Sequence, residues 1–159
     1  RSPRALGLVA LLVLVLALLG TLAAGGGWND WYDGLEKPSW LLPLPVFFIV
    51  VALYYALAVF LLYRINTRAQ GNSRRTRWWL LALTVVMLAA NEAWNYLFLA
   101  PESVDAGFLG MVIFAGIVVA LWLALLRARR RIEVLALLPY VAWVAYDVAW
   151  TFEVWRLNG

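Results

Sequence analysis

Five stretches of the chain are almost unbroken runs of apolar residues, separated by shorter segments in which the charges collect. About 20 helical residues span a hydrocarbon core of about 30 Å. The pattern therefore predicts membrane helices at about 5–24, 43–63, 78–100, 105–126 and 133–155. The first run, preceded by Arg1 and Arg4 and followed by small residues, has the outline of a cleavable signal peptide. At about 20 residues it is longer than the usual apolar region of such a leader, and it reads as a retained helix. Gly25-Gly-Gly27 closes the first span, Pro43 and Pro45 suit the first turn of the second, and Pro101 stops the third. The fold class expected is all-α: one five-helix transmembrane bundle covering 1–159, with residues 25–42 as the longest connection.

Composition agrees. Of 159 residues, 65% are hydrophobic and the mean hydropathy is +0.83, above the roughly 45–50% apolar content of soluble domains. The net charge of +4 raises the question of an anionic partner. Eleven of the thirteen basic residues lie at Arg1 and Arg4, between Arg64 and Arg77, and between Arg127 and Arg131, which are alternate connections. That is the positive-inside pattern: it sets topology and gives no reason to expect nucleic acid. The amino terminus is expected in the cytoplasm, and the carboxyl terminus and the 25–42 segment outside, in a multi-pass protein of a prokaryotic cell membrane. Histidine and cysteine are both absent, which removes imidazole and thiol chemistry and the usual axial ligands of haem iron. No cofactor is required, no metal site is expected, and enzymatic chemistry is not what the residues point to.

Ten tryptophans, and the acids Glu92, Asp147 and Glu153 set into apolar runs, are the unusual features. A carboxylate within the bilayer costs at least about 2.5–3.5 kcal/mol on insertion scales, so it should be paired, protonated or facing a wet cavity. Glu92 and Asp147 lie at similar depth in the third and fifth helices and are expected to face each other; Glu153, nearer the boundary, is expected to snorkel or to pair with Arg156. Helical spacing puts Thr84, Met87, Asn91, Trp94, Asn95 and Phe98 on one face of the third helix, with Glu92 beside it. Tyr140, Trp143, Asp147, Trp150, Thr151 and Val154 share a face of the fifth. Two polar-aromatic faces predict a ligand cavity, and the aromatic segment holding Trp28, Trp31, Tyr32 and Trp40 predicts a lid over it. In the fourth helix, Ala106, Gly110, Gly116, Ala120 and Ala124 form a small-residue stripe, read as packing within the bundle rather than a dimer surface.

These motifs resemble the TspO/MBR family, the tryptophan-rich sensory proteins related to the translocator protein. They are Trp31-Tyr-x-Gly-Leu-x-Lys37-Pro38-Ser39-Trp40, then Leu88-Ala-x-Asn91-x-Ala-Trp94 with Phe98, then Leu138-Pro139-Tyr140-x-x-Trp143, and a terminal Trp155-Arg156-x-Asn158. The resemblance implies a five-helix fold, often a homodimer, whose cavity under the first loop binds tetrapyrroles such as porphyrin or haem. It carries Trp31, Trp40, Asn91, Trp94, Phe98, Tyr140 and Trp143 over as pocket residues. Light-dependent porphyrin breakdown is among the roles proposed for the family. The chain departs from the pattern at Val51, where a Trp is usual, and at Glu92, Asp147 and Thr151. Adding Glu92 and Asp147 to a pocket disfavours an anionic ligand, which keeps open a second reading: a proton-coupled transporter of cationic aromatic compounds.

Overall fold

The computed structural model describes residues 30–67, 72–99 and 101–159, together with Gly7 and Val15. The span expected at 5–24 and the 25–29 part of the lid lie outside the described residues. The remainder forms α1 (Asp30–Gly34), α2 (Leu44–Thr67), α3 (Arg74–Leu99), α4 (Val104–Arg127) and α5 (Arg131–Asn158), and there is no strand among the described residues. Helices α2 to α5 are each long and apolar enough to cross a membrane. They exceed the expected spans by up to four residues at an end, because their polar terminal turns continue the helix past the apolar run. The short α1 is an addition, since the sequence reading had only a loop there.

Local chemistry fixes the ends. Ser73 Oγ accepts from the Thr76 amide and Ser103 Oγ from the Ala106 amide, each meeting one of the orphan donors of a first turn. Asp105 in the first turn of α4 suits the positive end of the helix dipole. The α4–α5 connection is a tight reversal in which the Arg129 amide donates to Leu126 O and the Arg130 amide to Leu125 O. This is a Schellman closure, with Arg129 in its left-handed position at φ 56°.

Neighbours in the chain pack closely, α3 on α4 and α4 on α5, whereas α2 meets α5 sparsely. The core between them holds Tyr54, Ala58, Leu61, Met87, Leu88, Phe114, Val118, Leu121 and Leu137. Large apolar side chains also cover the outside: Ile49 is 60%, Leu53 63% and Leu135 66% exposed. Such a surface is stable only where the solvent is itself apolar, and the chain is an integral membrane protein.

The small-residue stripe of α4 packs within the bundle only in part: an added Cβ at Gly110 would lie 3.0 Å from Trp94 Cδ1, and Ala124 packs on the core. Gly116 and Ala120 lie on the exposed side, and the inner face is built from Gly107, Met111, Phe114, Val118, Leu121 and Leu125. Lipid and protein interior are both apolar, so residue size alone could not assign the faces. The closest approach occurs at Gly107, where an added Cβ would lie 2.2 Å from Phe98 Cδ2, and whose carbonyl accepts from Trp94 Nε1 at 2.8 Å. Gly107→Ala is therefore expected to lower stability by about 1–3 kcal/mol through overpacking. Gly116→Ala, whose Cβ meets nothing within 4 Å, should leave it unchanged or raise it by about 0.5–1 kcal/mol. Thermal melts of both variants in detergent check this, and equal melting temperatures would contradict it.

Candidate ligand cavity and its lid

Helices α2, α3 and α5 enclose a cavity of about 140 Å³. Aromatic rings make most of its wall: Phe47, Tyr54, Trp94, Tyr140, Trp143 and Trp150. Asn91, Asn95 and Asp147 are its amide and carboxylate lining, and no basic residue lines it. The rings brace one another. Tyr54 stacks on Tyr140 at 4.8 Å, and Phe47 meets Trp143 edge-on at 5.4 Å and Trp150 at 6.0 Å. Such pairs add about 0.5–1.5 kcal/mol each beyond the area they bury.

The two intramembrane carboxylates take different partners. Asp147, buried on α5, accepts from Trp150 Nε1 at 2.9 Å and faces the cavity. Glu92 accepts from Tyr55 OH at 2.6 Å and from Asn91 Nδ2 at 3.3 Å, and is not among the lining residues. Both of these partners, Tyr55 and Asn91, are on the wall. Thr151 turns back onto its own helix, donating to Asp147 O at 2.7 Å; its role is to satisfy a hydroxyl, not to line the site. Glu153 pairs with Arg156 as the sequence suggests.

A second aromatic group sits above the cavity. Phe98 is buried against Trp94, with which it stacks at 5.5 Å, and against Trp150 at 6.2 Å. Trp31 and Tyr32 of α1 close on the same ring edge-on, at 5.5 Å and 5.9 Å. Trp31 and Phe98 thus belong to the lid contact and do not line the cavity. Trp40, 47% exposed, meets Tyr146 edge-on at 5.7 Å and does not line the cavity.

Polar contacts hold the lid in place. Lys37 Nζ binds the carbonyls of Tyr32, Asp33 and Leu35, capping the end of α1 where a cation meets the negative end of the dipole. Asn158, at the far end of α5, accepts from the Glu36 amide at 2.8 Å and donates to the Glu36 carbonyl at 2.9 Å. Tyr146 OH accepts from the Leu42 amide. Burial of Tyr32 against Phe98, with the charge of Asp33 and with Tyr146 nearby, pushes its hydroxyl up to about 12, so it stays neutral.

The sequence reading named the α3 and α5 residues of this wall but missed Phe47, Tyr54 and Tyr55 of α2 and Met111 and Phe114 of α4. The hydroxyls of the adjacent tyrosines 54 and 55 in the middle of an apolar span were the available signal. It also missed Glu133. That side chain is wholly buried at the opposite end of the bundle, where its Oε1 receives Arg64 Nε at 3.1 Å and Arg130 Nη1 at 3.2 Å.

Taken together, the fold and site define a helical integral membrane protein with an aromatic cavity bearing a carboxylate, beneath a docked extramembrane segment. The chain belongs to the TspO/MBR family, whose profile matches residues 8–156. It is 30% identical to protein CrtK of Rhodobacter capsulatus, across 96% of this chain and 94% of that one. It is 29% identical to the tryptophan-rich protein TspO of Archaeoglobus fulgidus, across 96% and 97%. With the human translocator protein it shares 27% identity, across 80% and 75%.

Proposed function

We propose that this protein binds a flat aromatic ligand of the tetrapyrrole class in the cavity between α2, α3 and α5, with the 25–42 segment as its lid. In this reading the chain makes five spans, its amino terminus and the arginine-rich turns lie in the cytoplasm, and the lid lies outside. The observation that carries it is the set of nine aromatic rings converging on one space, a wall suited to stacking on a planar π-system. With no arginine or lysine on that wall, ring stacking supplies the attraction, which suits a metal-free porphyrin whose carboxylates stay outside the cavity. Ligand pockets usually enclose about 300–1,000 Å³, so 140 Å³ is too small for a macrocycle. A groove of about 340 Å³ adjoins the cavity and shares Val50, Tyr54, Tyr140 and Trp143 with it. Parting the Tyr54–Tyr140 stack would join the two spaces into one of sufficient size.

A second reading rests on Asp147. A carboxylate among aromatic rings is also the arrangement that holds an organic cation, through ion pairing and cation–π attraction. One pair of titrations separates the two: tryptophan quenching in detergent by protoporphyrin IX, and by a rhodamine-type lipophilic cation. Saturable quenching by the porphyrin is expected, weakened roughly tenfold by Trp143→Ala and strengthened by Asp147→Asn, which removes a like charge. The opposite response, cation binding abolished by Asp147→Asn, establishes the second reading. Failure of both probes to saturate would sink the cavity as a ligand site.

A further inference from the structure

The α4–α5 turn, at the end of the bundle remote from the lid, carries four arginines within five residues: Arg127, Arg129, Arg130 and Arg131. Topology alone would need only their net charge, so their placement is informative. Arg130 is fully buried, donating to Arg64 O and to Glu133 Oε1, and its charge is used inside the bundle. Arg129 and Arg131 lie on the exposed side. Together with Leu126, Val134 and Leu135 they border a cavity of about 210 Å³ floored by Arg130.

Two further features bear on that cavity. Arg129 holds the left-handed position of the Schellman closure at φ 56°, where glycine is usual because any Cβ is strained there. The turn therefore keeps an arginine at a position where its backbone prefers glycine. The two arginines also adjoin the apolar outer surface: Leu126 is 42% and Leu135 66% exposed, and Ile132 beside them is 53% exposed. A soluble anion would meet the two arginines but would have no use for these leucines, whereas a phospholipid would use both.

We propose that this turn is a binding site for an anionic phospholipid, its phosphate held by Arg129 and Arg131 and its acyl chain lying on Leu126, Ile132 and Leu135. Charge complementarity selects the headgroup, and the apolar border selects a lipid over free phosphate. The site is separate from the aromatic cavity and does not depend on what that cavity binds.

The test uses the whole protein in a neutral detergent, with phosphatidylglycerol as the probe and native mass spectrometry as the readout. Each arginine near an anionic lipid is worth about fivefold in affinity. Wild-type protein is expected to retain phosphatidylglycerol over phosphatidylcholine, and Arg129→Gly with Arg131→Gln to bind it roughly thirty-fold more weakly. Arg129→Gly alone separates this role from a structural one: relief of the left-handed strain should leave the melting temperature unchanged or raised while lipid retention falls. Undiminished retention by the double variant overturns the proposal, as does displacement of the lipid by an equal concentration of inorganic phosphate.

Discussion

Replacing Trp150 with alanine is expected to lower stability by about 3–5 kcal/mol, the cost of truncating a buried tryptophan to a methyl group. The residue is 2% exposed and lies where the two aromatic groups meet, against Phe47 and Trp94 of the cavity wall and against Phe98 beneath the lid. In a bilayer there is little gain from excluding water between helices, so packing of this kind carries much of the association energy. A loss of that size corresponds to a fall in melting temperature of roughly 6–20 °C. Trp150 also supplies the N–H that Asp147 accepts. Trp150→Phe separates the two contributions: it keeps the ring and leaves a buried carboxylate oxygen without its donor, a cost of about 1–3 kcal/mol. Thermal melts followed by circular dichroism measure both. Should Trp150→Ala melt with the wild type, the junction of lid and cavity is not held by this ring.

The second large effect lies at the other end of the bundle. Glu133→Ala should destabilise by about 3–5 kcal/mol, because it leaves the buried Arg130 without its carboxylate. Arg64, which is partly exposed, can reorient its guanidinium and loses less. The pair itself need not be stabilising, since an apolar pair of matched volume avoids the desolvation of both ions. Arg130→Met combined with Glu133→Leu is therefore expected to recover most of the loss. A double variant no better than Glu133→Ala would mean that other bonds of Arg130, such as that to Arg64 O, matter more than relief of its charge.

The inner faces of α3 and α5 were legible because polar side chains are expensive in a bilayer. Asn91, Asn95 and Asp147 each had to point at something, and helical spacing then aligned Trp94, Tyr140 and Trp143 with them. Helix α2 offered no such contrast. Apart from the hydroxyls of Tyr54 and Tyr55 its membrane side chains are apolar all round, so nothing in the pattern separates Phe47, which lines the cavity, from Ile49 and Leu53, which lie on the outside. The same degeneracy split the α4 stripe, where the small residues at 116 and 120 lie outward while Gly110, with Gly107 outside the stripe, approaches α3 closely. Glu133 was overlooked because it borders an arginine-rich turn, where a carboxylate reads as a surface charge.

What the sequence determined by itself was four of the membrane helices, the helix faces that carry polar groups, and the motifs that identify the family. These follow from hydropathy and from periods of a few residues, which any chain in a bilayer must obey. The tertiary structure alone decided how those faces meet. It placed Asp147 on the cavity and bonded Glu92 to Tyr55. It closed Trp31 and Tyr32 onto Phe98 and tied Glu36 to Asn158, 122 residues away. Such pairings depend on the rotation and separation of whole helices, and those are set by packing summed over every contact along them.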